Sequence, residues 1–354
     1  MASDNVTAPE TAQLPEPSTN GSAALTRPPQ LGDPGVERAR VHRGSGDLCA
    51  TSDAPVGGQA LIEGVMMRGT KHWAIAVRLE NGEIETETQE FESKVKTHRF
   101  YKLPVVRGVV ALVESMGIGI KALGISANKQ LGEEEEEIGG ATWAATVAFS
   151  LLFAVGIFFL LPLGITNLVN GNAESDLGFV LFEKVVRIIV FIAYLWVISL
   201  LPDLRRVFEY HGAEHKTIFN YESGLPLSPQ NAQAFTRFHP RCGTSFLLLV
   251  FLVSIFVLTP LGRPEWYILY PSRVLAVPIV AGLAFELIKL IGKYRTHLWA
   301  RAIMWPGLQL QRLTTREPDE EQLEVAIASL QAVLDREDPR AAKGLDKEGM
   351  EIVA

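Results

Sequence analysis

Long apolar runs alternate with polar segments along the 354-residue chain, and the longest runs begin near residue 141. A helix that crosses the hydrocarbon core of a bilayer needs about 20 consecutive apolar residues. Four stretches come close to this length, and a soluble domain does not bury so many such runs in a chain of this size. They cover residues 141–168, 184–201, 245–262 and 272–291. We therefore predict an α-helical membrane protein with about four transmembrane helices, in a membrane domain over residues 141–292.

The two segments at the start of the chain have different patterns. Residues 1–55 are rich in Pro, Ser, Thr, Gly and Ala. Such a segment buries too little apolar surface to fold, so we predict a disordered tail. Residues 56–102 alternate between apolar and polar positions, as half-buried strands do. The pair Asn81-Gly82 favours a hairpin turn, because both residues tolerate positive φ. We expect a small β-rich cytoplasmic unit over residues 56–102.

A helix and an acidic connector are predicted over residues 103–140. Arg107, Glu114 and Lys121 recur every seven residues, so they share one face of a helix over 104–130. A membrane span would expose these three charges to hydrocarbon, which is costly. We therefore expect this helix to lie along the membrane or to pack under the bundle. The run Glu133–Glu137 predicts a solvated connector.

The segment after the last span predicts cytoplasmic helices over residues 293–336. Its first part carries aromatic and aliphatic side chains beside basic ones, which is typical of a helix that lies along the membrane. Its second part has an apolar stripe at helical spacing, formed by Leu323, Ile327, Leu330 and Leu334. This stripe predicts a soluble amphipathic helix. Residues 337–354 predict a frayed tail.

The distribution of Lys and Arg predicts the orientation in the membrane, since cytoplasmic loops carry an excess of both. Basic residues are frequent before the first span, between the second and third spans, and after the fourth. The loop after the first span has none. We therefore expect a multi-pass protein of the cell membrane whose two termini and 202–244 loop are cytoplasmic.

Charge and cysteine content exclude some classes of function. The formal net charge is -7, and the chain has no basic stripe interleaved with aromatic residues, so nucleic acid is not an expected partner. The chain has two cysteines, and Cys49 lies in the predicted tail, which argues against a disulfide framework. Cys242 is then a free thiol or a metal ligand.

Candidate chemistry is concentrated in the 202–244 segment. On a helix, His211, Glu214 and His215 occupy positions i, i+3 and i+4, which share one face. His239 and Cys242 follow, separated by two residues. Imidazole, thiolate and carboxylate groups suit zinc or another borderline divalent metal. The segment holds three of the seven histidines, and this clustering predicts a metal site.

The order H-x-x-E-H also occurs in inverzincin metallopeptidases, in which the glutamate is the general base. Such a site needs a third ligand from a distant helix, and Glu286 is a candidate by its position in the fourth span. A five-letter pattern is weak by itself. Glu286 has an alternative interpretation, as the structural partner of Lys289 or Lys293.

Ordinary structural roles remain open for these residues. Histidines next to a membrane often bond backbone carbonyls or lipid headgroups. A lone cysteine such as Cys242 is often a small buried side chain. Basic residues of the segment, such as Arg205 and Arg206, attract anionic headgroups and set the topology.

Four separated motifs carry a resemblance to a known family. They are GGQALIEGVMMRG (57–69), HGAEHKTIFNYE (211–222), HPRCGTSF (239–246) and LQRLTTREP (310–318). Together they resemble the YqhQ-like family of bacterial integral membrane proteins, a domain of unknown function described as a predicted metal-dependent enzyme. The resemblance covers roughly residues 56–335 and implies a bacterial inner-membrane location. The candidate metal residues that it implies are His211, Glu214, His215, His239 and Cys242.

The leading functional hypothesis is a metal-dependent, hydrolytic membrane enzyme. His211, His215 and either His239 or Cys242 would hold the metal, and Glu214 would be a ligand or the base. Its partners would be the lipid bilayer and a lipid-like or membrane-protein substrate. One alternative is a non-catalytic scaffold or assembly factor with a structural metal site. Another is a transporter, if Glu286, Glu114 and the pair Lys184/Arg187 line a path.

Overall fold

A computed structural model describes residues 41–43, 48–50, 54–131, 138–170, 176–262, 264–294 and 297–338. The strands are β1 Val41–Arg43, β2 Leu48–Ala50, β3 Gly57–Leu61, β4 Gly64–Arg68, β5 His72–Arg78 and β6 Ile84–Glu90. The helices are α1 Val106–Lys129, α2 Gly140–Val155, α3 Leu161–Asn170, α4 Asp176–Ile198, α5 Pro202–Ser223, α6 Pro229–Gln233, α7 Gly243–Leu258, α8 Trp266–Leu275, α9 Val277–Lys293, α10 Leu298–Thr314 and α11 Glu320–Glu337. Most of the predicted tail 1–55, the connector Glu133–Glu137 and residues 339–354 lie outside the described residues.

The small β-unit is an antiparallel sheet with strand order β3-β4-β5-β6. The hairpin predicted at Asn81-Gly82 joins β5 to β6, and Gly82 has a φ of 86°. Side chains alternate between the two faces of the sheet. Met67 and Ala74 pack against α11, whereas Trp73 and Ile75 pack with Ile118 of α1. The sheet is therefore covered by a helix on both sides.

Four helices of the described residues are long and apolar enough to cross a membrane, over 106–129, 140–169, 243–261 and 266–291. Three of them match predicted spans. The fourth is α1, which the sequence predicts to lie along the membrane or under the bundle, and which packs one face on the sheet. Helices α4 and α5 meet at an angle of 101°. If they form one broken span, they add a fifth candidate.

The predicted span 184–201 overlaps α4, which covers Asp176–Ile198. Helix α4 begins at Asp176, so Glu183, Lys184 and Arg187 lie within the helix. All three are buried. Their ion pairs stabilise charges that the sequence pattern places at a boundary.

The 202–244 segment, predicted to be a loop, is largely helical. Helix α5 has 22 residues, begins with Pro202 in its first turn and ends at Ser223, and it is capped by Gly224, whose φ of 80° is left-handed. From Tyr210 to Ser223 nearly every side chain is buried. The segment is therefore part of a packed core with α6, α11 and the sheet, because its apolar side chains contact these elements.

Order extends beyond both predicted limits of the folded part. Strands β1 and β2 pair within the predicted tail, and the buried Ala54 donates its backbone N–H to Glu222 over 3.0 Å. At the other end, α11 includes Glu337, which the sequence assigns to the frayed tail. Its carboxylate accepts the backbone N–H groups of Thr70, Lys71 and His72.

Candidate metal centre

Helix α5 approaches the chain before α11 very closely, and this approach positions the candidate site. Gly212 permits the contact, since a Cβ built there would lie 2.0 Å from the carbonyl oxygen of Arg316. The backbone N–H of Arg316 donates to the carbonyl of Phe208 over 2.8 Å. The neighbouring residue His211 therefore faces a fixed backbone at Thr314.

Three candidate ligands meet at one point. The rings of His211 and His215 have centroids 4.5 Å apart, as expected for positions i and i+4 of one helix. The Sγ of Cys242 lies 3.3 Å from Nε2 of His211. One ligand atom from each of the three residues lies within 4.8 Å of the other two.

Backbone carbonyls orient both imidazoles. The Nδ1 of His211 lies 2.7 Å from the carbonyl of Thr314, and the Nδ1 of His215 lies 2.5 Å from that of Arg237. Since a carbonyl only accepts, each Nδ1 carries a proton, and in the neutral form of each imidazole Nε2 keeps its lone pair. This is the arrangement that metal-bound histidines adopt. Burial lowers the pKa of His215 and so favours its neutral form.

Cys242 is the N-cap residue of α7 and is buried. Burial opposes ionisation of the thiol, but interactions with His215 and with Thr244 outweigh it, so the pKa of Cys242 is lowered. The partial positive charge of a helix N-terminus also favours a thiolate. A lowered thiol pKa suits a metal ligand.

The turn that carries Cys242 is held by Gln311 of α10, which sequence reasoning missed. Its side-chain amide accepts the N–H of His239 and donates to the carbonyl of His239, each over 2.8 Å. Gln311 is fully buried. It lies in the motif LQRLTTREP, which carried the family resemblance but predicted no contact.

Glu214 faces the same cavity as the three ligands, which has a volume of about 450 Å³. The side chain is buried against β3, where a Cβ built at Gly58 would lie 2.8 Å from its Cγ. Burial raises the pKa of Glu214 to about 7, although a hydrogen bond from the backbone of Gly58 opposes the shift. Its carboxyl group can therefore exchange a proton near neutral pH.

His239 lines the cavity but has other partners. Its ring centroid is 5.5 Å from that of His215, and its Nδ1 accepts the backbone N–H of Arg241 over 3.3 Å. Its Nε2 lies 3.7 Å from a carboxylate oxygen of Glu222, which also pairs with Arg241. His239 therefore lies next to His215, and its ring nitrogens face Arg241 and Glu222.

Glu286 lies elsewhere in the fold. It accepts from Nε of Arg107 over 2.7 Å and from the backbone N–H of Val105 over 3.4 Å. Helix α9 packs against α1, and the hydrogen-bonded partner of Glu286 is Arg107, whereas Lys289 acts on it through a longer-range Coulomb interaction. The structure does not bring Glu286 to the ligand cluster.

Comparisons with known proteins assign the chain to a family. The family described as "Protein of unknown function (DUF1385)" matches residues 103–336, a range that includes α5, Cys242 and Gln311. A protein of Bacillus subtilis (strain 168) described as "Uncharacterized protein YqhQ" is 34% identical over 291 residues, which cover 78% of this chain and 92% of the relative. No solved structure matches the chain. The chain therefore belongs to the DUF1385 family of proteins of unknown function.

Proposed function

We propose that the chain is a multi-pass membrane protein that binds zinc through His211, His215 and Cys242 and acts as a metal-dependent hydrolase. The observation that carries this proposal is the convergence of their ligand atoms within 4.8 Å. Ligands at zinc bond lengths of about 2.0–2.3 Å in a tetrahedral site lie roughly 3.3–3.8 Å apart. The three side chains therefore need only a small inward movement to share one ion.

The donor set fits zinc. Two neutral imidazoles and a thiolate match the borderline softness of this metal, whereas magnesium and calcium prefer oxygen ligands. The protons held on Nδ1 by Thr314 and Arg237 leave both Nε2 atoms available. Hydrogen bonds from Thr244 and the N-terminus of α7 favour the thiolate that zinc requires, whatever the charge of His215.

Three protein ligands beside a cavity of about 450 Å³ favour a catalytic site over a closed structural one. A bound zinc ion would supply Lewis acidity to a substrate oxygen or to water. Glu214 lines the same cavity, and its raised pKa lets it accept a proton from water and return it to a leaving group. We assign it the role of general base.

The proposed location is the cytoplasmic face of the cell membrane. Four helices are apolar enough to cross a bilayer, and the excess of Lys and Arg around α5 indicates the cytoplasmic side. The cavity is lined by the first turn of α7, which is one of these four helices. A lipid-like molecule or a membrane protein is a substrate that reaches such a cavity.

One observation favours a second candidate, a scaffold with a structural metal. His239 lines the cavity beside His215, and its entry as a fourth ligand would close the site. The transporter hypothesis gains no such support. Its residues have three separate partners: Glu286 pairs with Arg107, Glu114 accepts from Ser93, and Lys184 pairs with Glu183.

Metal analysis of the full chain purified in detergent tests the proposal. We expect one zinc ion per chain, and after exchange a Co²⁺ spectrum with thiolate charge-transfer absorption. Cys242→Ser should remove that absorption, while Cys49→Ser, at the chain's other cysteine, should keep it. A wild-type chain without stoichiometric metal, or an unchanged spectrum in Cys242→Ser, contradicts the site.

Two further variants separate the enzyme from the scaffold. If the site is open, His239→Ala retains the metal and the Co²⁺ spectrum stays unchanged, because His239 is not a ligand. If the site is closed, the same substitution lowers the coordination number and weakens binding. Glu214→Gln should keep the metal in both cases, and it should abolish any hydrolysis that the wild type performs.

A further inference from the structure

The apolar helices bury a second group of charged residues, distinct from the candidate metal centre. Glu183 and Lys184 are each 2% exposed, and Arg187 and Arg273 are each 5% exposed. The carboxylate of Glu183 pairs with Lys184 over 2.7 Å and also with Arg187. Arg273 donates to the carbonyls of Leu258 and Gly262, each over 2.9 Å, at the end of α7 opposite Cys242.

This group has more positive than negative charge. One carboxylate faces three basic side chains, so among the described residues the excess is two positive charges. An arginine does not lose its proton in a protein, so an excess of at least one would remain even if Lys184 were neutral. An uncompensated charge among apolar helices is costly, which argues that an anion completes the group.

A small cavity lies between the two arginines. It has a volume of about 50 Å³, and its lining is largely apolar, with Arg187, Arg273 and Ser254 as its polar residues. One water needs about 10–15 Å³ by the same measure, so the space holds a group of a few heavy atoms. The buried Nε atoms of Arg187 and Arg273 have no hydrogen-bond partner in the part of the chain that the structure describes.

We propose that this cavity binds a phosphate group, from an anionic lipid headgroup or from inorganic phosphate. Guanidinium groups match phosphate oxygens in charge and in geometry, and they often pair with phosphate through two parallel hydrogen bonds. The site is separate from the proposed hydrolase centre. The lipid source rests on the proposed membrane location, whereas the inorganic source does not.

Binding to the full chain in phosphatidylcholine nanodiscs tests the proposal. The two probes are phosphatidylglycerol, added as a minor lipid, and inorganic phosphate, and native mass spectrometry measures the stoichiometry. We expect one probe molecule per chain, and binding at least about tenfold weaker in Arg273→Gln, which loses a charge-assisted contact. Arg205→Gln removes an equal charge from a side chain that is 69% exposed and should bind like the wild type.

The two probes distinguish the sources. Saturable binding of phosphatidylglycerol assigns the site to a lipid, and saturable binding of inorganic phosphate alone assigns it to the free ion. Absence of binding for both probes overturns the proposal, as does wild-type affinity in Arg273→Gln.

A second variant covers the case in which Arg273→Gln does not fold. Lys184→Met removes one positive charge and leaves the pair of Glu183 with Arg187 in place. It should weaken binding several-fold, because the attraction between the group and the anion falls with its net charge. Unchanged affinity in Lys184→Met would count against an electrostatic anion site.

Discussion

The side chain of Gln311 holds the turn before Cys242 through both backbone groups of His239. Gln311→Leu should leave a buried N–H and a buried carbonyl without their partner, at a cost of about 1–3 kcal/mol for each. Zinc affinity should fall by about 10–100-fold, as for other residues that orient ligands. Chemical denaturation and competition with a chelator measure the two effects. The same change at the exposed Gln230 should alter neither, and equal effects at both positions would exclude the clamping role.

Gly58 lies where a side chain would displace Glu214. Gly58→Ala places a methyl group 2.8 Å from Cγ of Glu214 and should destabilise the fold by about 1–3 kcal/mol through overpacking. At Gly57 a Cβ meets nothing within 4 Å, so Gly57→Ala should stay within about 0.5 kcal/mol of the wild type. In a Glu214→Ala background the cost of Gly58→Ala should disappear, since the two side chains no longer collide. If Gly58→Ala still destabilised the Glu214→Ala variant, its cost would not come from a collision with the side chain of Glu214.

Glu337 predicts a pH dependence of stability. Partial burial raises its pKa, but three backbone N–H donors outweigh this effect, so the pKa lies below the ordinary 4.5. Between the folded and unfolded pKa values the unfolded chain binds more protons, so stability falls as the pH falls through this window. At neutral pH Glu337→Gln should be less stable than the wild type by roughly 1–3 kcal/mol. The difference should shrink below pH 4.5 in denaturation measured across pH.

The matched control for this prediction is Glu324→Gln on the same helix. The side chain of Glu324 is 52% exposed, so a change there should have little effect at any pH. A gap between wild type and Glu337→Gln that is independent of pH would show that hydrogen-bond geometry, and not the carboxylate charge, stabilises the contact.

At the scale of elements, the packing of α5 on the chain before α11 depends on Gly212. Gly212→Ala adds a Cβ 2.0 Å from the carbonyl of Arg316, so α5 must move away from the carbonyl of Thr314 that orients His211. We expect a loss of stability of about 1–3 kcal/mol despite the better helix propensity of alanine. Zinc affinity should fall as well, and calorimetric titration with the metal measures this change.

Gly117 of α1 is the control, because a Cβ there meets nothing within 4 Å. Gly117→Ala should stabilise the chain by about 0.5–1 kcal/mol, through helix propensity alone. If Gly212→Ala stabilised the chain by the same amount, α5 would not lie so close to the carbonyl of Arg316.

Elements with a local cause were predictable from the sequence. The hairpin at Asn81-Gly82 follows from turn chemistry, and α11 follows from a stripe of apolar residues at helical spacing. The burial of α5 was not predictable, because it depends on tertiary contacts with the sheet and α11. The predicted span likewise starts at residue 184, eight residues after the start of α4, and the burial of Glu183 and Lys184 depends on their pairing.

At the scale of the whole molecule, chain folding determines which candidate residues meet. Spacing predicted that His211 and His215 share a face, since both lie on one helix. The approach of Cys242, 31 residues after His211, depends on the packing of α10, whose Gln311 holds the turn. The pairing of Glu286 with Arg107 joins positions 179 residues apart and has no local signature. The sequence therefore identifies the side chains that could bind a metal better than it identifies which of them come together in the fold.

The proposed membrane location makes a prediction about the two ends of α7. Arg205, near the candidate metal centre, and Glu265, just after the far end of α7, are both exposed, so a cysteine at either position should react with thiol reagents. In intact cells a membrane-impermeant reagent should label Glu265→Cys and should reach Arg205→Cys only after permeabilisation, because a bilayer separates the two positions. A Cys49→Ser background removes one native thiol, and its labelling without an added cysteine measures the buried Cys242. Labelling of Arg205→Cys alone would invert the orientation and expose the site to the outside. Equal labelling of both positions in intact cells would mean that α7 does not cross the membrane, and the hydrolase would then need a soluble substrate.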